Sequence, residues 1–94
     1  MILAIDFFFV NGMPFFVSKS EKINYVSVTR MKTRGIASII QAISRDCRQY
    51  QSRGFQVSDI HADNVFGSEK IQDALRPIIM HIYAANEHVG FIEN

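Results

Sequence analysis

The chain opens on a run, Ile2 to Val10, that is apolar throughout except for one carboxylate, Asp6. Ile, Phe and Val dominate it, so it reads as a strand apolar on both faces and hence central in its sheet. Phe7, Phe8 and Phe9 are expected to fill the core on alternate faces, with a nucleic-acid stacking platform, which would need them exposed, as the lesser alternative. Asn11-Gly12 follows, the strongest short hairpin signal. Phe15 to Val17 continues as a second strand, with Pro14 near its start, where proline is tolerated. Ser18 to Lys22 is a polar turn, and Ile23 to Thr29 alternates well enough for a third strand. The opening is therefore an antiparallel meander.

The period then changes. Ile36, Ile39, Ile40, Ile43, Cys47 and Tyr50 recur at helical spacing and form one apolar stripe. Arg45 and Arg48 fall off it. Thr33 is the expected N-cap, and Gly54 stands where the glycine after a helix belongs. Phe55 to His61 predicts a fourth strand that ends just before Asp63. Ser68 caps a short helix through Leu75 or Arg76, Pro77 stops it, and Ile78 to Tyr83 is a fifth strand. Ala84 to Gly90 reads as a loop and Phe91 to Asn94 as the first turn of a helix. The order β-β-β-α-β-α-β, then the start of a helix, predicts an α/β protein. Its mixed five-stranded sheet carries helices on its faces.

At 94 residues the chain is one small domain at most. Hydrophobic residues make up 48% of it, enough for a core and too many for disorder. A formal net charge of +1 excludes a global basic field. The cations are nevertheless uneven: Lys19, Lys22, Arg30, Lys32 and Arg34 lie in the first third, and Arg45, Arg48 and Arg53 fall on the predicted long helix. A solvated face and a phosphate-contacting patch are both open for them. Cys47 is the one cysteine, so no internal disulfide forms, which suits a reducing compartment. Its place on the apolar stripe marks a packed thiol. The apolar start lacks a basic leader and a small-residue cleavage site, and no run reaches the length of a membrane span. A soluble intracellular protein is expected.

Three acids stand at meaningful places. Asp6 interrupts the first strand, Asp63 closes a second apolar stretch, and Glu93 sits in Gly90-Phe91-Ile92-Glu93. A carboxylate inside a buried strand is costly without a compensating partner. Convergent carboxylates suit hard cations such as Mg²⁺ or Mn²⁺. Each acid alone has a bland reading: a hydrogen-bonded structural Asp, a solvated loop Asp, an exposed terminal Glu. Their joint placement is what points to a metal site. His61, His81 and His88, with one cysteine, match no standard zinc spacing.

The element order and the acids together resemble the catalytic core of retroviral and retrotransposon integrases, in the ribonuclease-H-like superfamily with its DDE motif. In that family the first acid is an Asp within the first strand, the place of Asp6. The second follows the fourth strand in a segment often reading His-Thr-Asp-Asn; here it is His61-Ala62-Asp63-Asn64. The third is a Glu in a Gly-x-x-Glu pattern, here Gly90 to Glu93, with Glu87 a competing candidate. Phe9-Val10-Asn11-Gly12-Met13-Pro14-Phe15 and Asn86-Glu87-His88-Val89 look like copia-type retrotransposon polyproteins. The interval from Asp63 to Glu93 is shorter than the common retroviral one. Asn64-Val65 replaces the usual Asn-Gly.

What the resemblance implies is a ribonuclease-H-like fold over 1–94, as a single partial core truncated at its C-terminus. The family activity is metal-dependent DNA 3′-end processing and strand transfer. Two cations roughly 3.5–4 Å apart serve such displacements at phosphorus. Asp6 would bridge both, Asp63 ligate one and Glu93 the other. Asn64 would orient Asp63 or contact DNA, and Lys19, Arg30, Lys32 and Arg34 would hold phosphates. The family works on DNA in the nucleus and, at full length, as a homo-oligomer, without a membrane. Ending one residue past Glu93, the chain is expected to be inactive by itself. Two other readings stay open: a non-catalytic nucleic-acid-binding or assembly module of the same fold, and a separate ribonuclease-H-like nuclease.

Overall fold

A computed structural model describes residues 1–23 and 25–84. Eight elements follow in order: β1 (Ile2–Val10), β2 (Met13–Ser20), β3 (Val26–Arg30), α1 (Ile36–Ser52), β4 (Asp59–Asp63), a 3₁₀ turn (Asn64–Phe66), α2 (Glu69–Leu75) and β5 (Ile79–Tyr83). The five strands form one mixed sheet in the order β3-β2-β1-β4-β5. β1, β2 and β3 pair antiparallel, whereas β4 and β5 add parallel to β1. β1 is central, as its apolar run requires.

The β1–β2 hairpin turns on Asn11 and Gly12, with φ of 52° and 77°. Positive φ at both central residues matches the twist of the flanking strands. The hairpin is longer than expected: β2 spans Met13–Ser20, pairing along the whole outer half of β1. β4, in contrast, meets β1 only from Ile2 to Ala4. Phe8, Phe9 and Val10 therefore extend beyond that neighbour and are 40%, 51% and 48% exposed. This corrects the expectation that all three phenylalanines are core; only Phe7 packs against it.

α1 begins after Gly35, which offers no side-chain cap. Thr33, the expected cap, instead accepts a hydrogen bond from the Gly35 amide at 3.1 Å. At the other end Gly54 takes φ of 84°, and Phe55 N–H returns to Tyr50 O at 3.0 Å. The face α1 buries carries Ile39, Ala42, Ile43, Asp46 and Tyr50, while Ile36 is 40% exposed. The stripe thus includes a carboxylate. Ser18 Oγ donates to Asp46 Oδ2 at 2.7 Å, which makes this burial tolerable.

β4 starts at Asp59 and includes Asp63, four residues later than the sequence pattern suggested. Phe55 to Ser58 is occupied with the N-terminus: the Met1 ammonium donates to Gln56 O at 2.9 Å, and Ser58 N–H donates to Met1 O at 2.9 Å. Ser68 caps α2 by accepting from Lys70 N–H, as its sequence predicts.

The sheet has two distinct faces because side chains alternate. Leu3, Ile5, Phe16, Ile60 and Ala62 are fully buried and meet Ile39, Ile43, Phe66 and Ile71 in one core. Full burial of such a side chain stabilises by about 1.5–3 kcal/mol. α1 lies on this face, since Asp46 reaches Ser18, the strand partner of Ile5. The alternate positions, Ala4, Asp6, Asp59, His61 and Asp63, belong to the opposite face.

Candidate functional site

In the parallel register Ile2 lies opposite Asp59, Leu3 opposite Ile60 and Ala4 opposite His61. Asp6 and Asp63 each lie two residues beyond the last paired positions, on one face of the sheet, an arrangement that suits a hard cation taking oxygens from both. Asp6 is half-buried, and its Oδ1 accepts from the Phe7 amide at 2.8 Å. Asp63 ends β4 and caps the 3₁₀ turn, its Oδ1 accepting from Val65 N–H at 3.0 Å. That bond engages one of its two oxygens. Phe66, at the end of the same turn, is fully buried and stacks on Phe7 with centroids 4.9 Å apart. The residue after Asp6 and the turn after Asp63 are thereby fastened together.

Glu93 and its competitor Glu87 lie outside the described residues, as does His88. Among the described residues no group of three His, Cys, Asp or Glu side chains could hold a metal ion. Asn64 is exposed at the start of the 3₁₀ turn, next to Asp63.

A polar cluster that the sequence pattern does not announce flanks Asp63. His61 and His81 are strand partners whose rings stack at 4.6 Å. His61 Nδ1 lies 2.6 Å from the Tyr83 hydroxyl, and His81 Nε2 lies 2.8 Å from Asp59 Oδ2. Burial, then the charge of His81, hold the His61 pKa below its ordinary value. The hydrogen bond from His81, then that from Ser58, hold Asp59 below the usual carboxylate range. The alternation Asp59-His61-Asp63 against His81-Tyr83 was the available signal; the pairing of the two strands was not.

The cations divide into groups. Arg30 and Lys32 line one cavity of about 490 Å³ together with Arg45 and Arg48 of α1. Arg34 lies over the Phe9 ring, 5.1 Å from its centroid. Lys19 pairs with Val26, so about 13 Å of strand separates its level from that of Arg30. The structure does not bring it to the others. Arg45 and Arg48 lie off the apolar stripe in the sequence, but only the fold joins them to Arg30 and Lys32. Cys47 packs against the core, and burial, then the neighbouring Asp46 charge, push its thiol up to about 11. Packing and a raised pKa both suit a structural thiol.

No protein-family model and no curated protein matches the chain. Its structure is similar to the crystal structure of the catalytic core domain of BIV integrase, with a TM-score of 0.75 and 12% sequence identity. The match covers 98% of this chain and 61% of that one, so the chain spans less than two thirds of its neighbour's length. Among the described residues the fold is α/β, a mixed five-stranded sheet with two helices, of the ribonuclease-H-like type seen in integrase cores.

Proposed function

We propose that the chain is a catalytic-core portion of an integrase-type polynucleotidyl transferase. It would act on DNA with divalent cations held by Asp6 and Asp63. The reading rests on two aspartates on one face of adjacent parallel strands, each two residues past the last paired positions, in a fold similar to an integrase core. The donor set fits the cation class: carboxylate oxygens are what Mg²⁺ and Mn²⁺ take. Glu93, or Glu87, would supply the third carboxylate. When bound, the cations would neutralise charge that builds at phosphorus and on the departing oxygen.

The reaction is an in-line displacement. A water oxygen bonds to phosphorus as the bond from phosphorus to a 3′ oxygen breaks, and that oxygen leaves as a hydroxyl. The freed 3′-hydroxyl then attacks a phosphodiester of target DNA and releases a second 3′-hydroxyl. Bonds made and broken balance in both steps, and no side-chain nucleophile is needed. Asn64 would contact DNA beside Asp63, while Lys19, Arg30, Lys32 and Arg34 would hold phosphates. The copia-type origin, nuclear action and a second copy of the chain as partner are part of the same proposal. Among the described residues no helix is long and apolar enough to cross a membrane.

The test is nicking and strand transfer on an end-labelled duplex with Mg²⁺ or Mn²⁺. Activity lost on chelation and in both Asp6→Asn and Asp63→Asn supports the proposal. Activity that survives both substitutions refutes it.

A further inference from the structure

The β3 edge carries a groove that the paired acids do not explain. Its first part is the 490 Å³ cavity between β3 and α1, lined by four cations, Arg30, Lys32, Arg45 and Arg48, and by no carboxylate. Arg45 and Arg48 are three apart on one helix and share a side of it. Arg45 is held against the sheet edge, its Nη2 donating to Thr29 Oγ1 at 2.7 Å. The second part is a cavity of about 600 Å³ that shares Arg30, Met31 and Lys32 with the first and runs to Pro14. Pro14 is the strand partner of Phe9. Phe9 is half-exposed beneath the Arg34 guanidinium.

We infer that these two adjoining cavities, from Arg48 past Arg45 to Arg30 and Lys32, together with the Arg34–Phe9 pair beside them, bind a single strand of nucleic acid. Cations in a row with no interleaved acid suit successive phosphates, which a lone small anion would not use. An exposed phenyl ring under a guanidinium adds a surface on which a base stacks whatever its sequence. A duplex offers phosphates but keeps its base faces inside. Thr29 and Arg45 belong to the α1 side of the sheet, whereas Arg30, in register with Phe15 and Phe8, falls on the side of Asp6, so the groove passes round the β3 edge and does not need the acids to be catalytic.

The experiment is fluorescence anisotropy of a labelled oligothymidylate in EDTA across a salt series, with a labelled duplex and inorganic tripolyphosphate as competitors. The wild type is expected to prefer the single strand. Arg45→Gln with Arg48→Gln should weaken binding roughly tenfold and lower the salt slope by about 1.4, at about 0.7 for each phosphate no longer neutralised. Arg48→Gln alone, at an exposed position, should lower it by about half as much. Phe9→Ala should weaken binding roughly tenfold and leave the slope unchanged. The inference is overturned by unchanged affinity in the double variant or in Phe9→Ala, by preference for the duplex, or by tripolyphosphate competing as well as the oligonucleotide. Such a failure leaves the acid-dependent activity test untouched, so the two proposals fall separately.

Discussion

Phe7 and Phe66 stack with ring centroids 4.9 Å apart and planes 22° from parallel. Both also meet Phe16 edge-on, at 6.2 and 6.3 Å. Phe7 follows Asp6 in the central strand, and Phe66 ends the turn that Asp63 caps. The aromatic cluster in the core therefore ties the strand of Asp6 to the turn that Asp63 caps, from beneath. Phe66→Ala is expected to destabilise the fold by about 3–5 kcal/mol in urea unfolding. Phe66→Leu should cost less. If divalent-cation affinity falls in Phe66→Leu while the protein stays folded, the cluster positions the acids; unchanged affinity shows that it only fills the core.

Asp46 makes a second prediction. It is 1% exposed, and burial raises its pKa, against the lowering effects of the Ser18 hydroxyl, Arg45 and Ser27. An acid whose folded pKa lies above its unfolded value holds its proton more tightly when folded. Its contribution to stability is therefore greatest in acid and declines as pH rises from about 3.8 through the raised value. Asp46→Asn should remove that decline and be neutral or stabilising at pH 7. Ser18→Ala should cost about 1–3 kcal/mol, because the carboxylate is deprived of a partner it cannot replace with water. Unfolding at a series of pH values checks both; a large loss in Asp46→Asn at neutral pH would contradict them.

His61 works in the opposite direction. Its folded pKa lies below the ordinary 6.5, so the unfolded chain takes the proton more readily. Stability from this group is present above about 6.5 and is lost as pH falls below it. His61→Gln should flatten that acid-side loss in a thermal melt series. A wild-type profile flat from neutral pH into the acid range, or an unaltered one in the variant, would show that burial of His61 beside His81 carries no such linkage.

Much of this architecture is legible in the chain because its causes are local. Asn11-Gly12 demands a hairpin, the Ile36–Tyr50 spacing demands a helix, and Ser68 and Gly54 punctuate two helices at the expected ends. The place of Asp6 inside the first strand was equally readable, whereas Asp63, expected just past the fourth strand, is its last residue. What was not readable depends on partners distant in sequence. Phe8 and Phe9 look like core until the short reach of β4 along β1 is known. Asp46 looks like a surface residue until Ser18 is brought over it. Arg45 and Arg48 become part of a groove only when β3 lies beside α1, and the His61–His81 stack exists only because β4 pairs with β5 in that register. Phe55 to Ser58 has strand-like composition, but bonds to the N-terminal residue delay the strand.

We propose that Asp6 and Asp63 form one cation site. Its most direct test is titration of the isotopically labelled protein with Mn²⁺, read as paramagnetic broadening of backbone amide signals. The account predicts that Asp6, Phe7, Asp63 and Val65 broaden first and together, and that Asp6→Asn or Asp63→Asn alone abolishes the effect at both strands. Broadening scattered over surface carboxylates, or persisting around Asp6 when Asp63 is replaced, would contradict it.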